Sequence, residues 1–316
     1  MNLDKEIINQ LRCPNCLSDL EINSNSFICK NLSCSIFFPI INGIPILICD
    51  NKSVFSIRDF VENRETTFTN KSRLHTLIKK IIPSISLNVA ARKNYKKLIP
   101  LILNKSANPN ILVVGGSELG EGMETILSVP NFNLIEGDVA FGSRTKIIFD
   151  AHNIPFPGEF FDCVIIQAVL EHVVDPFRCV NEVHRVLKKD GIVYAETPFL
   201  AQVHMGKYDF HRFTHLGHRR LFRSFFEIES GAVCGPGMAL AWTYSYFLFS
   251  FFSSIRIRKY LIPLANLTSF FWKYFDYYLV KKPGAYDAAL GFYFIGYKSE
   301  KTLDDRELLK LYRGLL

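Results

Sequence analysis

The sequence ILVVGGSELGEG occupies residues 111–122 and decides the fold. Its four apolar residues predict a short strand, and Gly115 and Gly116 follow at once. Further apolar runs lie at 134–135, 147–149, 163–166 and 192–195, and apolar residues recur at helical spacing between 176 and 188. Strands that alternate with helices predict a parallel, doubly wound α/β sheet. Strands that are apolar throughout suit a sheet covered on both faces.

The composition is that of a folded protein. The chain has 316 residues, of which 48% are hydrophobic and 21% charged, so it is too apolar for wholesale disorder. It lacks the repeats of fibrous and solenoid proteins. The net charge of +7 favours anionic partners but is too small to indicate nucleic-acid binding by itself. The first residues mix charges without an apolar run, so we expect no secretory signal and a cytoplasmic protein with reduced cysteines.

Four of the eight cysteines lie near the N-terminus, at Cys13, Cys16, Cys29 and Cys34. Two pairs of thiolates can converge on a tetrahedral Zn²⁺, and a segment of about 45 residues has too little core to fold without such a crosslink. We therefore predict a structural zinc ribbon over residues 1–50, with four reduced, partly buried cysteines as the alternative. The remaining four are predicted to be core residues: Cys49, Cys163, Cys179 and Cys234.

The cysteines of this segment are accompanied by further motifs. LRCPNC at 11–16 is followed by FPI at 38–40, NGIP at 42–45 and Leu47. Over residues 10–48 this pattern resembles the small zinc-ribbon proteins that activate tRNA, ribosomal and translation-factor methyltransferases. The resemblance leaves open whether the ribbon binds substrate, binds a partner or stabilises the fold.

Acidic residues at the ends of the predicted strands indicate a nucleotide site. Asp138 ends the second strand, 23 positions after Gly115, where a carboxylate can accept both hydroxyls of a ribose; Glu136 is the alternative. Glycines in the first loop permit a tight turn and the close approach of a ligand to the backbone. Their spacing does not match the G-x-G-x-x-G of nicotinamide enzymes, so the loop alone identifies no cofactor, and a plain strand–helix turn is its alternative.

Four longer motifs follow in order: DAHNIPF at 150–156, FFDCVI at 160–165, QAVLEHVVDP at 167–176 and RVLKKDG at 185–191. With the glycine loop they resemble the class I S-adenosylmethionine-dependent methyltransferases of the small-molecule type, over residues 111–198. The resemblance implies a Rossmann-like sheet and a bound S-adenosyl-L-methionine. A methyltransferase-like shell that no longer binds cofactor is the alternative.

The same resemblance assigns positions in the cofactor site. The loop glycines Gly115, Gly116 and Gly120 would pass beneath the methionine end of the cofactor, and Asp138 would bind the ribose. Asp150 would meet the adenine amine, with Ala151 and His152 beside the adenine ring. Gln167 would face the methyl group. Methyl transfer from a sulfonium depends on proximity and alignment, so few acid–base groups are expected.

The segment after the fifth strand, residues 199–223, is rich in histidine and arginine. Ligands of open α/β sheets bind at the carboxyl ends of the strands, so this segment should line the acceptor pocket. His204 or His211 is a candidate general base, since histidine titrates near neutral pH, and Asp209 is a candidate to orient it. The residues predicted to bind the acceptor are Tyr208, Arg212 and His215.

Three other interpretations of this segment are open. Arg219 and Arg220 are further candidates, with Arg212, to bind a phosphate or carboxylate of the acceptor. His211, His215 and His218 stand at helical spacing and are a candidate metal site. The third interpretation is a solvated basic face whose histidines cap helix ends.

Residues 238–255 carry no charge, and Arg256, Arg258 and Lys259 follow. Aromatic residues beside Lys and Arg suit a helix at a membrane interface or in contact with a lipid substrate. The alternatives are a helical insertion packed on the sheet or in a homodimer, and a single membrane span. A span fits poorly because the chain returns to a predicted strand at 289–297.

The predicted organisation has four parts. The ribbon is followed by a helical linker at 51–108, where apolar residues recur at Leu74, Leu77, Ile78 and Ile81, and where Pro83 and Pro100 are expected to break the helices. The methyltransferase domain is predicted at 109–300 with an aromatic helical insertion at about 238–282. Residues 301–316 are predicted to be a C-terminal helix or tail.

The predicted function is methyl transfer from S-adenosylmethionine to an oxygen, nitrogen or carbon of a small or lipid-linked acceptor. An RNA methyltransferase is the first alternative, although the aromatic residues form continuous apolar runs and are not interleaved with Arg and Lys as a base-stacking surface would be. A non-catalytic partner, whose ribbon activates another methyltransferase, is the second.

Overall fold

The computed structural model describes residues 3–64, 66 and 82–315. The predicted helical pattern at Leu74, Leu77, Ile78 and Ile81 lies outside the described residues. The N-terminal segment begins with helix α1 (Lys5–Gln10) and continues as strands β1 (Leu20–Asn23), β2 (Ser26–Cys29), β3 (Phe37–Ile41) and β4 (Ile44–Leu47). These four strands pair antiparallel in sequence order. Asn42 and Gly43 form the tight β3–β4 turn with φ of 52° and 78°, the left-handed backbone that an Asn-Gly hairpin turn requires.

The central sheet follows with β5 (Asn110–Val114), β6 (Asn133–Asp138), β7 (Ile147–Phe149), β8 (Phe161–Gln167), β9 (Leu187–Pro198), β10 (Phe225–Cys234) and β11 (Gly291–Lys298). The strand order of the whole sheet is β1-β2-β3-β4-β7-β6-β5-β8-β9-β11-β10. Strands β5 to β9 pair parallel, whereas β11 lies antiparallel between β9 and β10. The predicted doubly wound α/β class is confirmed, and among β5 to β11 the strand that runs opposite to the others is β11.

The ribbon strands belong to the same sheet as the central strands. β4 pairs parallel with β7, with Ile46 opposite Ile148 and Leu47 opposite Phe149. All four of these side chains are buried. The N-terminal segment therefore extends the sheet at the edge formed by β7 and is held there by backbone hydrogen bonds and apolar packing.

The helices are α2 (Ile57–Val61), α3 (Ala91–Leu103), α4 (Glu124–Leu127), α5 (Pro176–Val186), α6 (His215–Leu221), α7 (Pro236–Ser250), α8 (Ile255–Ser269), α9 (Asp276–Leu279), α10 (Ala285–Ala288) and α11 (Asp305–Leu309). Alternate residues of each central strand face opposite helices. Ile111 and Val113 share a buried cluster with Leu98 of α3, whereas Leu112 and Val114 pack in the cluster that contains Val183 of α5. The inner parts of the central strands, such as residues 111–114 and 163–166, are apolar throughout because both faces are covered.

The predicted helix break at Pro100 is wrong. α3 runs through Pro100 to Leu103, and the Asn104 N–H donates to the Pro100 carbonyl at 3.0 Å. Pro100 lies on the exposed side of the helix, whereas Leu98 and Ile102 are fully buried against the sheet. Packing of this apolar face outweighs the one hydrogen bond that proline removes.

Helices α7 to α10 lie between β10 and β11, where an aromatic helical insertion was expected. The carboxylate of Asp276 in α9 accepts the N–H groups of Gly237 (2.7 Å) and Met238 (2.9 Å), and so caps the first turn of α7. Gly237 permits this contact, since a Cβ there would lie 2.2 Å from the Trp272 carbonyl oxygen. In the described part of the chain, no helix has both the length and the apolar character needed to cross a bilayer.

Two neighbouring phenylalanines of β3 test how far the ribbon depends on the shared core. Phe38 is fully buried and Phe37 is 54% exposed. We expect Phe38→Ala to lower the free energy of unfolding by about 3–5 kcal/mol and Phe37→Ala to change it by less than about 0.5 kcal/mol. Urea unfolding of both variants measures this, and equal losses would show that the ribbon strand is not packed as described.

Candidate functional site

The glycine loop crosses the carboxyl ends of β5, β6 and β8. The N–H groups of Gly115 and Gly116 both donate to the Gly137 carbonyl, at 2.9 and 3.1 Å, and Gly115 has a φ of 78°. A Cβ at Gly120 would lie 2.1 Å from Oε1 of Gln167. The predicted glycines and Gln167 are thus brought together at one edge of the sheet, where ligands of open α/β folds bind.

Asp138 and Glu136 have different environments at the end of β6. The Asp138 carboxylate accepts the N–H groups of Ser117 (3.0 Å), Val139 (2.7 Å) and Ala140 (3.1 Å), and burial raises its pKa. The Ser117 side chain also hydrogen-bonds this carboxylate, so a ribose hydroxyl that reached Asp138 would have to compete with it. Glu136 forms an ion pair of 2.6 Å with Arg144. The donor set around Asp138 fits the predicted ribose contact, whereas Glu136 is committed to its arginine.

Asp150 is engaged by partners within the protein. Its Oδ1 accepts the N–H of His152 at 2.9 Å and lies 2.5 Å from His152 Nδ1, and its Oδ2 accepts the Ser53 hydroxyl at 2.5 Å. His152 Nε2 accepts the Asp175 N–H at 3.0 Å, so its Nδ1 carries the proton that Asp150 accepts. Asp150, Ala151 and His152 are all buried. An adenine amine that reached Asp150 would have to compete with the Ser53 hydroxyl.

Gln167 belongs to a buried polar network at the ends of β8 and β9. Its Oε1 accepts the Tyr95 hydroxyl at 3.0 Å, and its Nε2 donates to Glu196 at 3.0 Å. Glu196 also accepts hydrogen bonds from Tyr194 and Asn88, and burial raises its pKa to about 7. The network fixes the orientation of Gln167. Sequence reasoning assigned no role to Glu196, although its position at the end of the fifth strand was a usable signal.

His204, Asp209 and Arg212 lie together in the loop after β9. Asp209 Oδ2 accepts the His204 N–H at 2.8 Å and lies 3.4 Å from His204 Nδ1. The five N–H groups of Arg212 meet five acceptors: both oxygens of Asp209 and the carbonyls of Ala201, Gln202 and His211. Arg212 therefore holds the loop and has no free N–H for an acceptor anion, contrary to its predicted role.

The other predicted residues of this segment face elsewhere. His211 Nε2 lies 3.1 Å from the Val174 carbonyl oxygen, to which it donates. Tyr208 packs its ring against Phe55 at 5.5 Å between centroids. His215 is buried between the rings of Tyr286 and Phe292 and has no hydrogen-bond partner in the part of the chain that the structure describes. Burial lowers its pKa to about 4. It lines the core and not an acceptor pocket.

Two of the three other interpretations of the segment, the histidine metal site and the arginine anion site, find no support among the described residues. α6 begins at His215, so His211 is not on the same helix as His218, and the three imidazoles form no candidate metal group. Arg219 is buried and pairs with Glu227 at 2.9 Å, and Arg220 lies over the Phe177 ring at 5.2 Å. Arg219 therefore stabilises the packing of α6, whereas Arg220 is exposed on the surface of that helix.

The four N-terminal cysteines converge. The Sγ atoms of Cys13 and Cys34 are 3.7 Å apart, those of Cys16 and Cys29 are 3.4 Å apart, and all four lie within 4.8 Å of one another. Tetrahedral Zn²⁺ with bonds of about 2.3 Å places sulfurs about 3.8 Å apart. Asn15 donates to the Cys34 Sγ at 3.2 Å, an interaction that orients a thiolate ligand. The donor set and its spacing fit the predicted zinc site.

Comparison with known proteins identifies a methyltransferase domain within the central sheet. The family model described as a methyltransferase domain matches residues 135–195, which include Asp138, Asp150 and Gln167. The sequence is also similar to the ubiquinone/menaquinone biosynthesis C-methyltransferase UbiE of Pectobacterium carotovorum (31% identical, 31% of this chain and 44% of the relative) and of Pectobacterium atrosepticum (35%, 23% and 32%). The chain thus spans less than half the length of either curated relative. These matches support an S-adenosylmethionine-dependent methyltransferase.

Solved structures with a similar chain trace include a putative sarcosine dimethylglycine methyltransferase from Galdieria sulphuraria. It is 14% identical, with a TM-score of 0.41, and the alignment covers 66% of this chain and 86% of that one.

The cysteine cluster predicts a selective effect on bound zinc. We expect Cys16→Ser to lose one equivalent of zinc relative to the parent protein, because serine does not replace a thiolate ligand. Cys49→Ser is the matched control, since the Cys49 Sγ lies 3.7 Å from Asn15 Oδ1 and is outside the four-sulfur cluster. Elemental analysis of desalted protein measures both. Equal zinc in the parent and Cys16→Ser would exclude the site.

Proposed function

We propose that this protein transfers a methyl group from S-adenosylmethionine to a small or lipid-linked acceptor. The observation that carries the proposal is the convergence of Asp138 and Gln167, both within the matched segment, with the glycine loop at one edge of the sheet. The bound cofactor supplies a methyl sulfonium, whose transfer depends on proximity and alignment. The proposal covers an oxygen, a nitrogen or a carbon as the atom that accepts the methyl group.

The protein contributes position and exclusion of water. The backbone of Gly115 to Gly120 would approach the methionine end, and Asp138 would accept from the ribose. Gln167, held by Tyr95 and Glu196, would define the wall beside the methyl group. His152 and Ala151 would lie behind the adenine pocket, with Ser53 covering Asp150 until the adenine amine displaces it.

Among the histidines of the loop after β9, His204 is the one whose position suits contact with the methyl-accepting substrate. Its ring lies 6.1 Å from that of Trp242 in α7, at the same edge as Gln167. Asp209 is a positioning residue, because it holds both the His204 backbone and Arg212. His211 faces Val174 and is not proposed as a base.

The insertion favours a lipid-linked acceptor. The side of α7 near Trp242 contacts the loop after β9. Gln202 of that loop donates to Thr243 at 3.0 Å, and Tyr246 donates to the Val203 carbonyl at 2.7 Å. Other side chains of α7 to α9 are exposed and apolar: Leu240, Phe247, Phe251, Phe252, Tyr260, Leu264, Leu267, Phe271, Phe275, Tyr277 and Tyr278. Basic residues border them at Arg256, Lys259, Lys281 and Lys282. Aromatic residues bordered by basic ones suit contact with an anionic lipid surface.

Cofactor binding distinguishes Asp138 from Glu136. We expect Asp138→Asn to weaken binding of S-adenosylmethionine about tenfold or more, because a charge-assisted hydrogen bond contributes about 1.5–3 kcal/mol. Glu136→Gln is the matched control and should change the affinity by less than about threefold, since its carboxylate pairs with Arg144. Calorimetric titration of both folded variants measures the affinities.

Two results would contradict this proposal. Absence of S-adenosylmethionine binding by folded parent protein would favour a non-catalytic partner instead. A larger loss of S-adenosylmethionine affinity in Glu136→Gln than in Asp138→Asn would assign the ribose contact to Glu136.

Lipid contact predicts binding to anionic vesicles. Phe247 and Phe251 have ring centroids 5.1 Å apart and form one exposed patch. We expect Phe247→Ser/Phe251→Ser to reduce sedimentation with phosphatidylglycerol-containing vesicles about tenfold, because two apolar rings are lost from the contact. Phe226→Ser, at a residue of β10 that is 68% exposed, is the control. Unchanged sedimentation, or a stable dimer without lipid binding, would assign the patch to another contact.

A further inference from the structure

Glu171 is a buried carboxylate that faces two histidines. It follows β8 in the LEHV sequence at 170–173, and its side chain is 1% exposed. Its Oε2 has no hydrogen-bond partner among the described residues. Its Oε1 lies 3.7 Å from His172 Nε2 and 4.0 Å from His204 Nε2. An unpaired buried carboxylate oxygen is costly, so this environment calls for a missing partner.

The hydrogen bonds of both imidazoles direct the same nitrogen to Glu171. His172 Nδ1 lies 2.9 Å from the Tyr208 carbonyl oxygen, and His204 Nδ1 lies 3.1 Å from that of Gln202. A carbonyl oxygen can only accept, so each Nδ1 carries a hydrogen, and Nε2 is the ring nitrogen that can offer a lone pair to a ligand. The two Nε2 atoms and a carboxylate oxygen therefore face one another.

We propose that Glu171, His172 and His204 bind one divalent cation of the zinc class. Two imidazoles and one carboxylate are a common ligand set for such ions, and catalytic sites of this kind keep a further position open. The three ligand atoms lie within 4.8 Å of one another, against about 3.4 Å in a tetrahedral site, so small side-chain rotations close the set. The Nδ1 partners supply the outer hydrogen bonds that orient metal-bound histidines.

The cation site opens toward the proposed acceptor. Glu171 is buried, whereas the side chains of His172 and His204 are 17% and 28% exposed, so the accessible side of the cluster is that of the imidazoles. Trp242 borders it, and its indole Nε1 has no hydrogen-bond partner among the described residues. An acceptor oxygen bound at the open position would lose its proton to water more readily. This acceptor role rests on the proposed methyl transfer, whereas cation binding does not.

Cobalt is the probe for this site. Full-length protein that retains its zinc is titrated with Co²⁺ and desalted, and bound cobalt is measured by elemental analysis and visible absorption. We expect one Co²⁺ per chain, with a spectrum of nitrogen and oxygen ligation. Glu171→Gln and His204→Gln should each weaken binding at least tenfold, because each removes a ligand. His211→Gln is the control, since its ring faces Val174.

A shared proton is the alternative occupant of this cluster. A proton on Glu171 that is shared with one imidazole predicts no cobalt uptake by the parent protein. Uptake that Glu171→Gln and His204→Gln leave unchanged would also overturn the proposal. Thermal unfolding checks that each variant is folded, and His172→Gln replaces any that is not. S-adenosylmethionine titration of the same samples keeps the two proposals distinct: binding without cobalt uptake overturns only the cation, and uptake without cofactor binding overturns only the methyl transfer.

Discussion

Burial of the central sheet on both faces is the constraint on which the rest of the structure depends. The parallel strands satisfy their backbone groups within the sheet, and apolar side chains cover them on the α3 side and the α5 side. A charged group within such strands would be desolvated without a partner. The polar groups of the proposed site accordingly lie at or near the carboxyl ends of the strands, at Asp138, Gln167 and Glu196.

The ribbon is joined to the β7 edge of the central sheet by strand pairing as well as by the covalent chain. β4 extends the sheet beside β7, and the chain then places Ser53 on Asp150 and Phe55 on Tyr208. Order in the N-terminal segment is thereby coupled to the adenine end of the proposed cofactor site and to the loop after β9. A metal crosslink that organises a small segment contributes its binding free energy to folding, and here that segment touches the site directly.

The loop after β9 is organised by one arginine. All five N–H groups of Arg212 donate to acceptors within the loop. These hydrogen bonds hold the loop in the conformation that places His204 beside Glu171. Helix α7 closes the other side through Thr243 and Tyr246. The insertion that carries the exposed aromatic surface therefore also forms one wall of the proposed acceptor pocket.

Local pattern in the sequence determined the α/β class, the glycine loop and the methyltransferase motifs, because strand periodicity and loop composition depend on residues close in the chain. The convergence of Cys13, Cys16, Cys29 and Cys34 was also foreseen from their spacing, although the zinc itself stays a prediction. Only the tertiary structure decided that β4 pairs with β7, that α3 continues through Pro100, and that Arg212 and His215 face inward. It also decided that the Nε2 atoms of His172 and His204 face Glu171. Each of these depends on contacts between residues far apart in the chain, and on which hydrogen-bond partner each side chain meets there, which no local pattern contains.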